Sequence, residues 1–451
     1  MANPAADFPA AAHASTDVSA LAASYLGASS PTHVAVHGKV EEELEAITAR
    51  LLGAPFNVKE YGAAGDGTTD DTDAVQAAID AALAVNGTVY LPPGDFLVTA
   101  LTLDDDSVTL KGAGINATRI LTASAGPAIS LGTFDSTPAN PYIGTVDSFA
   151  MRDLTIQNVD DTGIAHVGVD QTSIGLQDNG CGEVTLSRVG FKGLLYGVYA
   201  PYGHDICTYY DVQAHYCTTS LYFGPGSQQI NIFGGRSGVH GRAIVIDGAQ
   251  QGAVYGFTFC DPKTRDIDLL CPDTLESGVT GLYPSAQLSW SFNDCWFETG
   301  AFATSWGPKE HIRVGATGDT YEVADVVIRN ANLVSGSTGM AAHGAYTYAF
   351  VNVENGKRVL VDRILVSGDY IESVVTYPAE SYKQVTVKDR IMVAGYTNIP
   401  AFVAKESNSA EVFSFWEQNA TLTGAKGGNE ALANLIVLLR DLGIIGHDST
   451  S

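Results

Sequence analysis

The alternation of apolar and polar residues changes character several times along the chain. Residues 1–30 are rich in Ala and Ser and show no sustained period beyond DVSALAASYL, which predicts a weakly ordered arm. Between Val34 and Leu52, Val40, Leu44, Ile47 and Leu51 recur at the 4, 3, 4 spacing of a narrow helical stripe. A stripe this short needs a partner, either the chain's own body or the other copies in a parallel trimeric neck. Gly53-Ala54-Pro55 ends it. From Phe56 to Leu101 the pattern predicts a strand, a Gly/Asp turn, a helix, and two strands joined by Pro92-Pro93-Gly94. The helix is expected from Asp71 to Val85, with cap oxygens from Thr69 to Thr72 and with Asp70 and Asp71 at its positive end. Ala74, Ile79, Ala82 and Leu83 form its apolar stripe, and Asn86-Gly87 stops it.

From about Val108 to Val403 the chain reads as short β runs punctuated by Gly, Asn and Asp. The runs recur. Aligning SRVGFKGLLYGVYAP, YDVQAHYCTTSLYFGPG and FGGRSGVHGRAIVIDG puts Val189, Val212 and Gly235 in register at a 23-residue step, and VYGFTFCD from Val254 follows similarly. A repeat of this length built only of strands fits an all-β, right-handed parallel β-helix, each coil bonded to the next at roughly 4.8 Å. A leucine-rich horseshoe lacks its Leu pattern here, and a propeller needs longer blades of antiparallel hairpins. The open end of a solenoid exposes strand edges, and the helix from Asp71 is placed to cap it. NEALANLIVLLRDLGIIG then predicts a C-terminal helix with Leu432, Leu435, Ile436, Leu439 and Leu442 on one face. The expected divisions are 1–53, arm and helical neck; 54–403, β-helix; and 404–451, a tail with a trimerising helix.

Composition narrows the function. Against 50 Asp+Glu there are only 24 Lys+Arg, a net charge of −26, so general binding to nucleic acid or anionic membranes is not expected. No run approaches the roughly 18 apolar residues of a spanning helix. The first lysine, Lys39, comes too late for the charged start of a secretion signal. Six cysteines without CxxC pairs predict buried free thiols and no zinc site.

The stretch Phe56 to Leu101, NVKEYGAAGDGTTDDTDAVQAAID followed by GTVYLPPG, resembles the entry of the pectate-lyase-like β-helix superfamily, above all phage tailspikes and tail-associated depolymerases. The resemblance implies a homotrimer in the virion tail, assembled in the host cytoplasm and acting at the host cell surface. Its arm at 1–53 would meet a tail or baseplate protein, and its β-helix would bind and depolymerise host-surface polysaccharide. The fold also carries lyases, hydrolases and inert spacers, so chemistry must come from the site.

Sugar rings present apolar C–H faces and hydroxyls, which calls for aromatic platforms with carboxylates and amides. The tyrosine-rich segment from Tyr196 to Tyr222 offers Tyr199, Tyr202, Tyr209, Tyr216 and His204 as substrate contacts, joined by Arg236 and Trp296. Hydrolysis needs two carboxylates about 5 to 9.5 Å apart. Glu298 and Asp294, within NDCWFETGAF, form one candidate pair, Trp296 desolvating the acid; Glu183 and Asp205, 22 residues apart, form another. Asp211 falls above Arg188 and reads as a structural ion pair. A lyase would instead place a His or Tyr with Arg or Lys in the groove, with His204, His215, Arg236 and Lys263 available. A receptor-binding protein without catalysis would show the aromatics but no workable carboxylate pair. The scarcity of Lys and Arg points to a neutral polymer. The acidic turns at Asp66–Asp71 and Asp104–Asp106 lack calcium-loop spacing, and no metal or cofactor is expected.

Overall fold

The computed structural model describes residues 44, 53–104, 107–123, 125–132, 146–160, 172–201, 206–225, 227–271, 289–299, 310–316, 322–335, 347–367, 371–378, 385–388, 392–393 and 402–405. The expected neck, apart from Leu44, and the C-terminal helix, with Tyr202, His204 and Asp205, lie outside these residues.

Apolar side chains at every second position force each strand to bury one face, and parallel pairing lets successive coils share that burial. Each coil gives one strand to each of three parallel sheets. The first face stacks Glu183–Ser187 under Ile206–Tyr210, Ile230–Phe233, Gln251–Tyr255 and Ser289–Asn293. The second stacks Gln213–His215 under Arg236–His240, Thr258–Pro262, Trp296–Thr299 and Asn332–Ser335. The third stacks Tyr196–Ala200, Thr219–Phe223, Arg242–Asp247, Arg265–Leu270, Glu310–Val314 and Thr347–Val353. The architecture is a right-handed parallel β-helix.

Single left-handed residues make the corners. Between the first and second faces stand Asp153, Arg188, Asp211, Asp294 and Asn330, with φ between 49° and 61°. Between the second and third stand Gly193, Tyr216, Val239 and Asp261, with φ between 47° and 64°. Asp and Asn suit this conformation; Val239, β-branched, is held there only by its surroundings. Gly190, Gln213 and Arg236 stack in register, so the 23-residue step through Val189, Val212 and Gly235 is the coil length here. Later coils are longer: Val254 pairs with Phe292, and the added chain includes 272–288.

The coil interior is filled by inward residues such as Leu186, Tyr209, Ile232, Val254 and Phe292, all fully buried. Rings stack from coil to coil, Phe259 over Phe297 at 4.6 Å between centroids. All six cysteines are buried and free. The helix spans Thr72–Leu83 and buries Val75, Ala78, Ile79 and Ala82 against the first coils. Of the expected cap oxygens, Asp70 Oδ1 accepts the first helical amide, Thr72 N, at 3.0 Å, whereas Asp71, the N-cap residue, makes no side-chain cap bond. Its buried carboxylate instead accepts the Ala64 and Gly65 amides at 2.5 and 2.8 Å, tying the helix to the preceding turn. The expected Arg188–Asp211 pair is also replaced, since Arg188 Nε donates to Asp153, one coil earlier, at 2.6 Å.

Candidate functional site: a cationic groove beside tyrosines

On the third face the outward positions form two columns. One runs Tyr196, Thr219, Arg242, Arg265; the other runs Tyr199, Tyr222, Val245, Asp268, Arg313. Val198, Leu221, Ile244, Ile267 and Ile312, each next to a residue of the second column, are core, so strand parity commits that column to the outside, whereas the first column stands two residues before these core positions and the alternation breaks between them. Tyr196, Tyr199 and Tyr222 pack with ring centroids 4.5 to 5.7 Å apart and, with Val245 and Leu270, form an apolar cluster separate from the coil interior. The Tyr222 hydroxyl is spent on Asp247 Oδ2 at 2.6 Å.

A few coils along, the same face opens into a cleft of about 340 Å³ lined by Thr218, Gly241, Arg242, Lys263, Arg265, Asp268 and Arg313. Asp268 is fully buried. It accepts Arg313 Nε and Nη2 at 2.7 and 2.8 Å and Arg265 Nη1 at 2.8 Å. Arg265 also reaches Glu310 through Nε and Nη2, both at 2.8 Å. Arg242 Nη2 donates to Thr219 Oγ1 at 3.3 Å. Burial works against the Arg313 charge, and the Asp268 carboxylate outweighs it. Asp268 and Glu310, saturated by guanidinium donors, act as scaffold that aims the arginines. Four cations face Asp268, Glu310 and, beside Arg313, Glu354, which leaves a small local excess of positive charge on a strongly acidic chain, and forked guanidiniums suit carboxylate ligands. Gly241 forms one wall, where a Cβ would stand 2.4 Å from the Thr218 carbonyl oxygen.

Behind the cleft, side chains of the same strands that point inward are polar. His240 Nε2 lies 2.8 Å from Asp266 Oδ1, and His311 Nδ1 lies 2.5 Å from Asp266 Oδ2. Ser237 Oγ lies 3.0 Å from His240 Nδ1, and Ser220 Oγ 2.8 Å from Ser237 Oγ. None of the five is more than 1% exposed. Burial pushes the Asp266 carboxyl up, but hydrogen bonds from both imidazoles outweigh it and hold it below the usual range. The Ser-His-Asp arrangement is sealed from solvent and serves to tie Arg236–Asp247, Thr258–Leu270 and Glu310–Val314 together beneath the arginines.

The expected site residues separate onto different faces. Trp296, Glu298, Arg236 and Tyr216 converge on the second face and its corner, together with His215. Trp296 is 41% exposed; Glu298 is half-buried, in register with Cys260 and Val334. Arg236 Nη2 lies 3.8 Å from Cys260 Sγ, and burial, the largest influence, pushes that thiol up to about 11. Lys192 Nζ stands 5.9 Å from the Tyr216 ring centroid. Asp294 occupies the left-handed corner, where Oδ1 accepts Asn330 Nδ2 at 3.1 Å. Glu183 sits exposed on the first face. Tyr199 belongs to the groove of the third. Tyr209 is a correction: its strand parity turns it into the coil interior, where it is fully buried and out of reach of any substrate.

Residues 55–258 match the family model described as rhamnogalacturonase A/epimerase, pectate lyase-like. Residues 55–258 thus resemble the pectate-lyase-like β-helices. Among curated relatives, this β-helix protein is 44% identical over 110 residues to mannuronan C5-epimerase AlgE6 of Azotobacter vinelandii, a match covering 22% of this chain and 12% of that one. It is 51% identical over 73 residues to alginate lyase 7 of the same organism, covering 14% and 8%. The chain thus spans only a small part of the length of these relatives. The solved Dettilon tailspike protein superposes with a TM-score of 0.44 at 11% identity, covering 77% of this chain and 69% of that one.

Reading the sequence for carboxylate pairs missed the groove of this β-helix. Arg242, Arg265 and Arg313 are far apart in sequence and meet only through coil stacking. One signal was present: TRDIDLL and EHIRV each carry charged or imidazole groups at adjacent positions, which in a strand places them on both faces.

Proposed function

We propose that this pectate-lyase-like β-helix modifies an acidic polysaccharide, a polymer of uronic acids, by removing the proton α to the sugar carboxylate. The observation that carries the reading is the gathering of Arg242, Lys263, Arg265 and Arg313 in one cleft beside Tyr196 and Tyr199, on a chain of net charge −26. It supplies the Arg and Lys set as a condition for a lyase, with the tyrosine cluster on the same face but outside the cleft lining, and it favours an acidic polymer over the neutral one expected from overall composition. The relatives named for mannuronan epimerisation and alginate cleavage support the same substrate class.

A uronate carboxylate held by guanidiniums withdraws electrons from C5 and stabilises the charge that develops when its proton leaves. In this reading Arg242, Arg265 and Arg313 bind the carboxylate, and Lys263 with the Tyr196 and Tyr199 hydroxyls are the proton-transfer groups. Once C5 has lost its proton to a base, two outcomes are open. Expulsion of the C4 oxygen, which takes up a proton, breaks the chain and leaves a C4–C5 double bond. Return of a proton to the opposite ring face inverts C5 without cleavage. The test is incubation of the full chain with polyuronates and with neutral polymers in D2O, following absorbance near 235 nm, reducing ends and deuterium at C5. Absorbance with new ends indicates elimination; deuterium at C5 without new ends indicates epimerisation. Binding of polyuronate with neither signal refutes the proton-removal chemistry.

A second reading is favoured by Trp296, Glu298 and Arg236 meeting on one exposed face. Here the chain is a homotrimeric tailspike that attaches to the virion tail through 1–53 and hydrolyses host-surface polysaccharide, with Glu298 and Asp294, or Glu183 and Asp205, as the carboxylates. New reducing ends without absorbance, abolished by Glu298→Gln, select it. Binding to host polysaccharide without any product selects a receptor-binding protein.

A further inference from the structure

We infer that the outward side of the first face is a binding site for a neutral polysaccharide, held along the axis of the coils and separate from the acidic-polymer groove of the third face. The inference rests on the residues of this face alone and survives or fails independently of the chemistry of the groove.

Tyr210, Phe233 and Tyr255 stand one above another on three successive coils. Their rings stack, with centroids 5.3 and 5.4 Å apart and planes inclined by 16° and 7°, and the residues are 46%, 38% and 40% exposed. The stack ends on small polar residues, Ser187 before Tyr210 and Asn293 after Tyr255, so it turns a ring face toward each of them and a continuous ring edge toward solvent. Beside it run Thr208, Asn231, Ala253 and Ser291, one per coil, a floor of short uncharged side chains. Ile206, Gln251 and Ser289, all exposed, border the floor on its other side. Two floor groups are already oriented. Asn231 Nδ2 donates to the Gln229 carbonyl at 3.1 Å, which leaves Oδ1 to accept. Ser291 Oγ accepts Asn293 Nδ2 at 3.1 Å, which leaves its hydroxyl proton to donate.

Size and charge select the occupant. The uncharged strip covers four coils at about 4.8 Å by five residues at about 3.3 Å, about 320 Å². Arg152 and Glu183 bound it at one end, Arg329 and Asp362 at the other. A protein partner needs roughly 800 Å² on each side, so the strip suits a narrow, linear ligand. Nucleic acids and anionic lipids find no cation among its positions and are repelled by the −26 charge. A neutral glycan meets neither objection. Amides and hydroxyls exchange hydrogen bonds with sugar hydroxyls, and aromatic rings add a positively polarised edge for sugar oxygens and a face for C–H groups. The repeat also fits. Each coil offers one floor residue at a step of about 4.8 Å, close to the advance per residue of an extended pyranose chain, so about four sugars lie along the strip.

The experiment is native electrophoresis of the full chain through gels that contain hydroxyethylcellulose, mixed-linkage β-glucan, galactomannan or dextran, each a neutral polymer. Wild type is expected to be retarded in at least one of them. Phe233→Ala, which opens the ring stack, and Ala253→Arg, which fills the floor with a long charged side chain, are each expected to weaken that affinity at least tenfold with an unchanged far-UV circular dichroism spectrum. Arg242→Ala, in the third-face groove, is expected to leave it intact. Unaltered migration in all four gels overturns the inference. So does retardation that both first-face variants keep, or that Arg242→Ala abolishes. A strip that holds no polymer but enhances bis-ANS fluorescence, an enhancement lost in Phe233→Ala, is an apolar protein contact and also overturns it.

Discussion

Asp268→Asn isolates the role of the buried carboxylate from its shape. Asp268 is fully buried and receives three hydrogen bonds from Arg313 and Arg265 at 2.7 to 2.8 Å. Breaking a buried ion pair by removing one partner costs about 3–5 kcal/mol, because the other charge stays behind. The Arg265 and Arg313 side chains keep 15% and 20% exposure, so water takes up part of that loss. A cost of about 2–4 kcal/mol follows, which lowers the folded-to-unfolded ratio by roughly 30- to 900-fold. Urea unfolding followed by tryptophan fluorescence reads this as a lower midpoint, and m should be unchanged because the same surface is exposed on unfolding. The cleft also becomes more positive by one charge, so polyuronate binding at low salt should hold or strengthen while stability falls. A midpoint shift equivalent to less than about 1 kcal/mol, or lost catalysis at unchanged stability, would refute the scaffold role and make Asp268 a reacting group.

Asp266 sets an acid limit. Its folded-state value lies below the usual one, so its stabilisation is complete above the unfolded carboxyl value near 3.9 and is lost as pH falls through the lower folded value. Thermal midpoints of wild type and Asp266→Asn measured from pH 7 to pH 2.5 should therefore converge on acidification below about pH 4, and parallel profiles would count against this assignment. Gly241→Ala meets the Thr218 carbonyl, which as backbone cannot swing away; a loss of about 1–3 kcal/mol in urea unfolding is expected, and an unchanged midpoint would show that the wall yields. Arg242→Ala with Lys263→Ala should reduce polyuronate binding at least tenfold and flatten its salt dependence, leaving binding to neutral polymers unchanged. Equal losses on both polymers would place the substrate elsewhere.

Much of the fold was legible because short-range physics governs it. The 23-residue step through Val189 and Val212 is a local pattern that the structure keeps; of the expected helix stripe it buries Ile79 and Ala82, adds Val75 and Ala78 and leaves Ala74 and Leu83 half-buried, and Asp66 and Gly67 open a strand rather than form a turn. The second-face cluster of Trp296, Glu298 and Arg236 was partly legible, since each was an exposed-type residue in a recognisable rung. Tyr209 was misread because its strand, ICTYY, alternates without contrast. Ile206 and Tyr210 point outward, Cys207 and Tyr209 inward, and no difference in polarity tells the two sides apart. The longer coils after Tyr255 hid the repeat by inserting chain between strands.

By itself, then, the sequence determined that this chain winds into a capped solenoid of parallel strands, because turn residues, alternation and a repeated coil length act over neighbouring residues. It did not determine where positive charge collects. Arg242, Lys263, Arg265 and Arg313 are scattered in an acidic chain, and the sign of the groove follows from which positions stack and which way each strand's parity turns them. A shift of one residue in either would exchange Arg313 with Ile312 and bury its charge. Coil length and corner conformation acting together remove that freedom, and they do so only in the assembled β-helix.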